Sequence, residues 1–169
     1  MVDKRVAILR RGGFYVAGVF THNGIFSCNL PEKSRAAAIS SVSAQGLVEE
    51  RRSEDLQILG YIFDIIGGIR IDPNLVRFDF SGFSDKQIRV LKSTLKIPFG
   101  ETRTYEGIAN DAGLEGAYRF VGNVMASNRF PPLIPCHRVV AKNGIGGYGA
   151  GDGIPTKVAL LKAERAFAD

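Results

Sequence analysis

Pro135-Cys136-His137-Arg138-Val139-Val140 is the stretch from which the rest of the chain is read. It follows the apolar residues Phe130 to Ile134 and precedes a glycine-rich segment, and it holds one of only two cysteines and one of only two histidines. A thiol beside an imidazole matters because the thiolate is the nucleophile. A cysteine with an ordinary pKa of ~8.5 needs a base or a positive field to reach that form at neutral pH. Pro131, Pro132 and Pro135 stiffen the approach, so the stretch reads as an activated sulfur in a tight turn.

Composition bounds what surrounds it. A chain of 169 residues that is 45% hydrophobic and 23% charged is a globular protein with real cores, as one domain or two small ones. No apolar run reaches the ~18 to 20 residues of a bilayer span, and Met1 to Arg5 lacks the plan of a signal peptide, so the expected place is the cytoplasm, or the nucleus of a eukaryote. Cys28, Cys136, His22 and His137 show no metal-ligand spacing and are too few for a disulfide framework. Residues 1 to 80 carry 10 Lys+Arg against 9 Asp+Glu, and residues 81 to 169 carry 12 against 8. The basic excess therefore lies in the half that holds Cys136, which suits a polyanion partner or serves solubility.

Upstream, Val6 to Leu9, Phe14 to Phe20 and Ile25 to Leu30 are short strand-like runs separated by Arg11-Gly12-Gly13 and His22-Asn23-Gly24, a small antiparallel meander. His22 reads as a solvated turn residue and Cys28 as an unreactive, half-buried thiol. Pro31 predicts a helix over Glu32 to Gln45 closed by Gly46, and the apolar face of Leu56 to Ile66 predicts another that stops at Gly67-Gly68. Arg70 to Phe80 reads as a further strand, and a domain boundary is expected close to residue 81.

Beyond that boundary the pattern turns helical. Ser84 with Gln87 forms a capping box for Asp85 to Leu95. Thr104 caps a short helix from Tyr105 to Asp111, and a second helix runs from Gly116 or Ala117 to about Ser127. Two short helices joined by a glycine-containing turn give a helix-turn-helix outline. The small residues Ala117, Gly122 and Ala126 allow close approach either of a nucleic-acid backbone or of another helix. Residues Asn143 to Gly153 hold six glycines and Tyr148. Gly144, Gly146 and Gly149 fit a dinucleotide fingerprint, but no helix opens within them, and no lysine of a phosphate loop follows. A cysteine hydrolase would have only His22 as a remote partner.

Tyr105, Arg119, Asn128, Pro135 to Val140, Tyr148 and the segment Leu160-Leu161-Lys162-Ala163-Glu164 together resemble the O6-alkylguanine-DNA alkyltransferases, over about residues 85 to 165 with every motif in order. The resemblance implies a small N-terminal α/β domain over 1–80, an antiparallel sheet with helices, and a mainly helical C-terminal domain over 81–169 with a winged-helix-like helix-turn-helix. It implies direct reversal of DNA damage as a methylated-DNA-protein-cysteine S-methyltransferase: Cys136 takes the alkyl group from guanine O6 once and is not regenerated. Cys136, His137 and Glu164 would form the proton relay through a water, and Tyr105 would donate to the leaving guanine. Arg119 would fill the vacated stack and Asn128 would brace the turn before the active cysteine, with Ala117, Gly122, Asn128 and Arg138 among the DNA-binding residues. Met125, Pro131, Val139, Tyr148 and Gly149 would hold the extruded base, a step that costs a few kcal/mol. The implied partner is duplex DNA carrying O6-alkylguanine, met by a monomer without a cofactor or metal and away from membranes. The chain departs from the family pattern at Tyr118 and Phe120, which are bulkier than usual, at Arg129 in place of a proline, at Gly149 in place of a frequent serine, and in lacking the lead-domain zinc ligands. A lesion-binding module without transfer and a thiol hydrolase stand as alternatives.

Overall fold

The computed structural model describes residues 3–166, and within them the fold is mixed α/β. The expected domain limits at residues 1 and 169, and the first two residues of the N-terminal stretch, lie outside the described residues. Two compact units emerge. One comprises residues up to Gly67 with Ile71–Ser81 and Arg129–Leu133; the other comprises Gly68–Arg70, Gly82–Asn128 and the chain from Ile134 onward.

In the first unit, β1 (Arg5–Arg11), β2 (Phe14–Thr21) and β3 (Gly24–Cys28) pair antiparallel in sequence order. Alternation drives this: Val6, Ile8, Ala17 and Val19 point into a core closed by Ala38, Val42 and Ala44. A two-residue β4 (Val48–Glu49) adds to β1 in parallel, so the sheet, in the order β3-β2-β1-β4, is mixed rather than wholly antiparallel.

The helix expected from Glu32 is shorter, α1 (Arg35–Ser41). Glu32 is held in backbone pairing with Tyr15, and Ser34, not Pro31, caps the helix by accepting from the Ala37 amide. Ser43 turns left-handed at φ 52°, which ends the helical run well before Gly46. Helix α2 (Ser53–Ile66) starts one turn earlier than expected and stops at Gly67-Gly68; of the expected face Leu59 and Ile62 are fully buried, joined by Ile65, while Leu56, Ile58, Phe63 and Ile66 are half-buried. The strand expected over Arg70 to Phe80 is not formed: Asp72 caps a 3-10 turn at Pro73–Leu75, and Phe78 makes only an isolated bridge to Ile25. Phe130 returns to this unit edge-on to Phe78 and Phe80.

In the second unit the capping signals place the helices closely. α3 (Asp85–Leu95) starts on the Ser84–Gln87 capping box, with both of its reciprocal bonds made. Thr104 caps α4 (Tyr105–Asp111) by accepting from the Gly107 amide. α5 (Tyr118–Ala126) follows after a six-residue connection and buries Val121 and Val124. β5 (Arg103–Thr104) and β6 (Val139–Val140) form a two-residue parallel pair, and α6 (Ile154–Ala163) starts after Gly153, whose φ of 75° and ψ of −133° suit glycine. Among the described residues no helix is long and apolar enough to cross a membrane.

Candidate active site

Cys136 opens a single 3-10 turn, Cys136–Arg138, between Pro135 and β6. A turn this tight rotates three successive side chains to three different directions. The thiol is buried, His137 is wholly buried, and Arg138 keeps a thin exposed edge.

The imidazole Nε2 lies 2.7 Å from Glu164 Oε1, with both side chains fully buried. Glu164 is the C-cap of α6, where the helix ends and its side chain turns back toward the 3-10 turn. The Arg138 guanidinium forks onto the same carboxylate, with Nε 2.8 Å from Oε2 and one terminal nitrogen 2.9 Å from Oε1; its other terminal nitrogen donates to the Ile97 carbonyl at 2.7 Å. Burial pushes the Glu164 carboxyl up, but the bonds from His137 and Arg138 outweigh it and hold its pKa at about 2. Glu164 is therefore an acceptor at neutral pH, which fixes the tautomer: Nε2 carries the proton and donates it, leaving Nδ1 as the basic nitrogen. Burial also lowers the imidazole against the pull of Glu164, so the ring is neutral. Nδ1 is buried and has no protein partner among the described residues.

Around the sulfur, burial pushes the thiol pKa up, opposed by hydrogen bonds with the Asn128 and Tyr148 side chains and by the field of Lys157. Asn128 also donates to the Ile134 carbonyl at 3.1 Å and so ties the end of α5 to the turn segment that delivers Cys136. Lys157, fully buried in α6, donates to the carbonyls of Val139 at 2.6 Å and Gly147 at 3.0 Å. Burial lowers its pKa to about 8 while Cys136 pulls the other way. Sequence reasoning missed this residue because one lysine on a helix ordinarily lies in solvent; the available signal was its setting among Ile154, Val158 and Leu161.

A recess of about 290 Å³ opens on Cys136, lined by Tyr105, Gly122, Met125, Ala126, Gly147, Tyr148 and Gly149. Burial raises the Tyr105 phenol, so it stays protonated, and its hydroxyl reaches the Gly147 carbonyl at 3.5 Å. Met125 takes a long contact from the Thr94 hydroxyl. The structure thus gathers Cys136, Tyr105, Met125, Tyr148, Gly149 and Gly122 at one recess, with His137 next to Cys136 in the 3-10 turn and bonded to Glu164. Val139 and Pro131 are not among the lining residues. Val139 gives its carbonyl to Lys157, and Pro131, in the first unit, accepts from the buried Cys28 thiol. Arg138 differs from expectation most: its guanidinium is spent on Glu164 and Ile97 instead of facing outward. Arg119 is exposed on α5 and Ala117 is partly exposed at its N-cap. His22 is solvated at its turn.

Such an arrangement can move a proton from a thiol to an imidazole backed by a carboxylate and present sulfur to a ligand in the recess. A family model described as "6-O-methylguanine DNA methyltransferase, DNA binding domain" matches residues 85–166. The chain is 45% identical over 94 residues to a methylated-DNA–protein-cysteine methyltransferase of Mycobacterium bovis, which is 55% of each protein. It is 47% identical over 79 residues to a probable methylated-DNA–protein-cysteine methyltransferase of Acanthamoeba polyphaga mimivirus, 47% of this chain and 52% of that one. The matched part spans about half the length of these curated relatives. The crystal structure of Mycobacterium tuberculosis OGT in complex with DNA is similar over 96% of this chain and 93% of that chain, with 30% identity and a TM-score of 0.69.

Proposed function

We propose a function from one premise: the chain belongs to the O6-methylguanine-DNA methyltransferase family. It repairs DNA by moving an alkyl group from guanine O6 to Cys136, once per molecule. The observation that carries this reading is the neutral His137 with Nε2 locked to Glu164 and Nδ1 bare, behind a cysteine that faces a base-sized recess.

In the step itself, Nδ1 takes the thiol proton through a bridging water, and Glu164 supports the imidazolium that forms. Asn128, Tyr148 and Lys157 stabilise the thiolate. Sulfur attacks the alkyl carbon in line; the S–C bond forms as the O6–C bond breaks. The electrons of that bond go to the guanine ring, which takes the proton of the Tyr105 hydroxyl and leaves neutral; the phenolate, which burial disfavours, is reprotonated from water, and the imidazolium returns its proton to water, so the charges balance. The product thioether has no leaving group that water here can displace, so Cys136 is consumed. No cofactor enters this scheme, because the DNA donates the group and the protein accepts it.

DNA reaches the recess by extrusion of the alkylguanine from a duplex. Helices α4 and α5 act as a helix-turn-helix, and β5, β6 and the glycine-rich loop take the place of a wing. Open space over Gly122 supports close approach of a DNA backbone, since a side chain there would meet nothing within 4 Å. Exposed Arg119 is the side chain for the vacated stack. We place the domain that does this at residues 81 to 169, working as a monomer where the DNA is, in the cytoplasm or a nucleus.

The test is intact-protein mass spectrometry after incubation with a duplex carrying O6-methylguanine. One methyl per protein, mapped to the peptide with Cys136 and absent in Cys136→Ser, is expected. Continued turnover, or a methyl on Cys28, would sink the reading; tight binding of the lesion with no mass change would favour a lesion-binding module.

A further inference from the structure

Helix α5 opens with an aromatic ring that the fold does not use. Tyr118 is 50% exposed, whereas Phe120 is partly buried and Val121 and Val124 are buried in the core. The helical repeat puts position 118 one turn before Gly122 and two turns before Met125 and Ala126, the three α5 residues that line the recess. Arg119 stands beside it, also exposed. An aromatic side chain left half in water forgoes the burial its ring could gain, and a flat ring next to a nucleic-acid site is the surface on which bases stack.

We propose that Tyr118 is a stacking platform for the base plane bared when the alkylguanine leaves the duplex. The proposal rests on the alkyl-transfer reading and adds a residue to it. Extrusion exposes the faces of the bases that flank the gap, and those faces lose their stacking energy unless something covers them. Arg119 offers a guanidinium to the gap; Tyr118 offers the adjacent plane. Gly122, one turn on, has open space where a side chain would stand, with nothing within 4 Å of an added Cβ. The ring acts after extrusion, so it speeds transfer from duplex DNA and contributes little to holding undamaged DNA.

The experiment compares wild type, Tyr118→Ala and Tyr118→Phe in single-turnover transfer from a duplex containing O6-methylguanine. Binding of the unmodified duplex and the rate at which iodoacetamide modifies Cys136 without DNA are measured alongside. Tyr118→Ala should slow transfer by about 10- to 100-fold, the size of one lost base stack. Tyr118→Phe should stay within about twofold of wild type, and the DNA-free thiol rate should be the same in all three. Four results would overturn the proposal. They are Tyr118→Ala transferring like wild type, Tyr118→Phe failing as badly as Tyr118→Ala, which would mean a hydroxyl contact to phosphate, an equal loss in the DNA-free thiol rate, which would mean a structural role, and an equal loss in binding of the unmodified duplex. Failure of the wild type to transfer from the alkylated duplex would instead reject the alkyl-transfer reading itself.

Discussion

Lys157 carries a buried charge with no carboxylate within salt-bridge distance among the described residues. Burying an ammonium without an ionic partner is costly, and two backbone carbonyls offset only part of the cost. Cys136 is the group whose negative form this ammonium favours, and which in turn raises the amine's pKa. Replacing Lys157 with Met should therefore shift the pH–rate profile for iodoacetamide modification of Cys136 to higher pH. It should also destabilise the fold by about 1–3 kcal/mol, because the Val139 and Gly147 carbonyls lose their donor. An unchanged profile would separate Lys157 from the chemistry and leave it only a brace. Because folding lowers this amine from 10.5 to about 8, the unfolded chain binds more protons between those values. Its burial therefore costs least above that window, and stability gains from this residue as the pH rises through it. The sequence shows Cys136 and His137 as neighbours, and their adjacency is enough to suggest a nucleophile. It marks Lys157 only faintly, because a lysine by itself does not say whether its helix face is wet and only its setting among Ile154, Val158 and Leu161 makes that face apolar. It also sets Arg138 beside the cysteine without showing which way the guanidinium turns, which the 3-10 turn decides.

The glycine-rich loop between β6 and α6 offers a comparison between two neighbouring positions. Gly146 has φ +73°, and a Cβ there would come within 2.9 Å of the Tyr105 ring and hydroxyl. Gly147 has no positive φ, and a Cβ there would meet nothing within 4 Å. Gly146→Ala should cost about 1–2 kcal/mol of stability from left-handed strain and slow transfer by displacing Tyr105, whereas Gly147→Ala should be near neutral in stability. Thermal unfolding and single-turnover transfer measure the two effects, and equal behaviour of the pair would remove the packing argument. Elements marked by local chemistry were legible: Ser84 with Gln87 and the cap Thr104 set the starts of α3 and α4. Elements set by partners were not. β4 and β5 are two residues each and exist through pairing, not through a pattern, whereas β6 falls on the strand-like Val139 and Val140. The helix expected from Pro31 lost its first turn because Glu32 pairs with Tyr15, and the Arg70 to Phe80 run became a capped 3-10 turn because Asp72 accepts from Asn74. In both places a tertiary or capping bond outweighed intrinsic preference.

At the scale of the whole molecule, Glu164 joins the end of α6 to the 3-10 turn and, through Arg138, to the carbonyl that follows α3. One carboxylate therefore serves the proposed relay and the stability of its unit together. Its pKa falls from 4.5 to about 2 on folding, so the stabilisation it gives is full above the unfolded value and is lost as the pH drops through that interval. Glu164→Gln keeps the shape but leaves the Arg138 guanidinium without its anion, which should cost about 3 kcal/mol at neutral pH. Urea unfolding from pH 7 down to pH 2 should show the gap between wild type and variant narrowing as the wild-type carboxyl protonates. Asp79 and Asp111 are also held below the usual carboxylate range, Asp79 despite its burial by bonds with Thr21 and Ser81, and Asp111 by its bond to Arg103. Both are common to the two proteins and cancel in the difference, whereas His137, whose pKa the same carboxylate raises, changes with it, so the narrowing reports the His137–Glu164 pair. A gap that stays constant with pH would mean that Glu164 holds the unit by packing rather than by charge, and that the variant should lose transfer for reasons other than the relay.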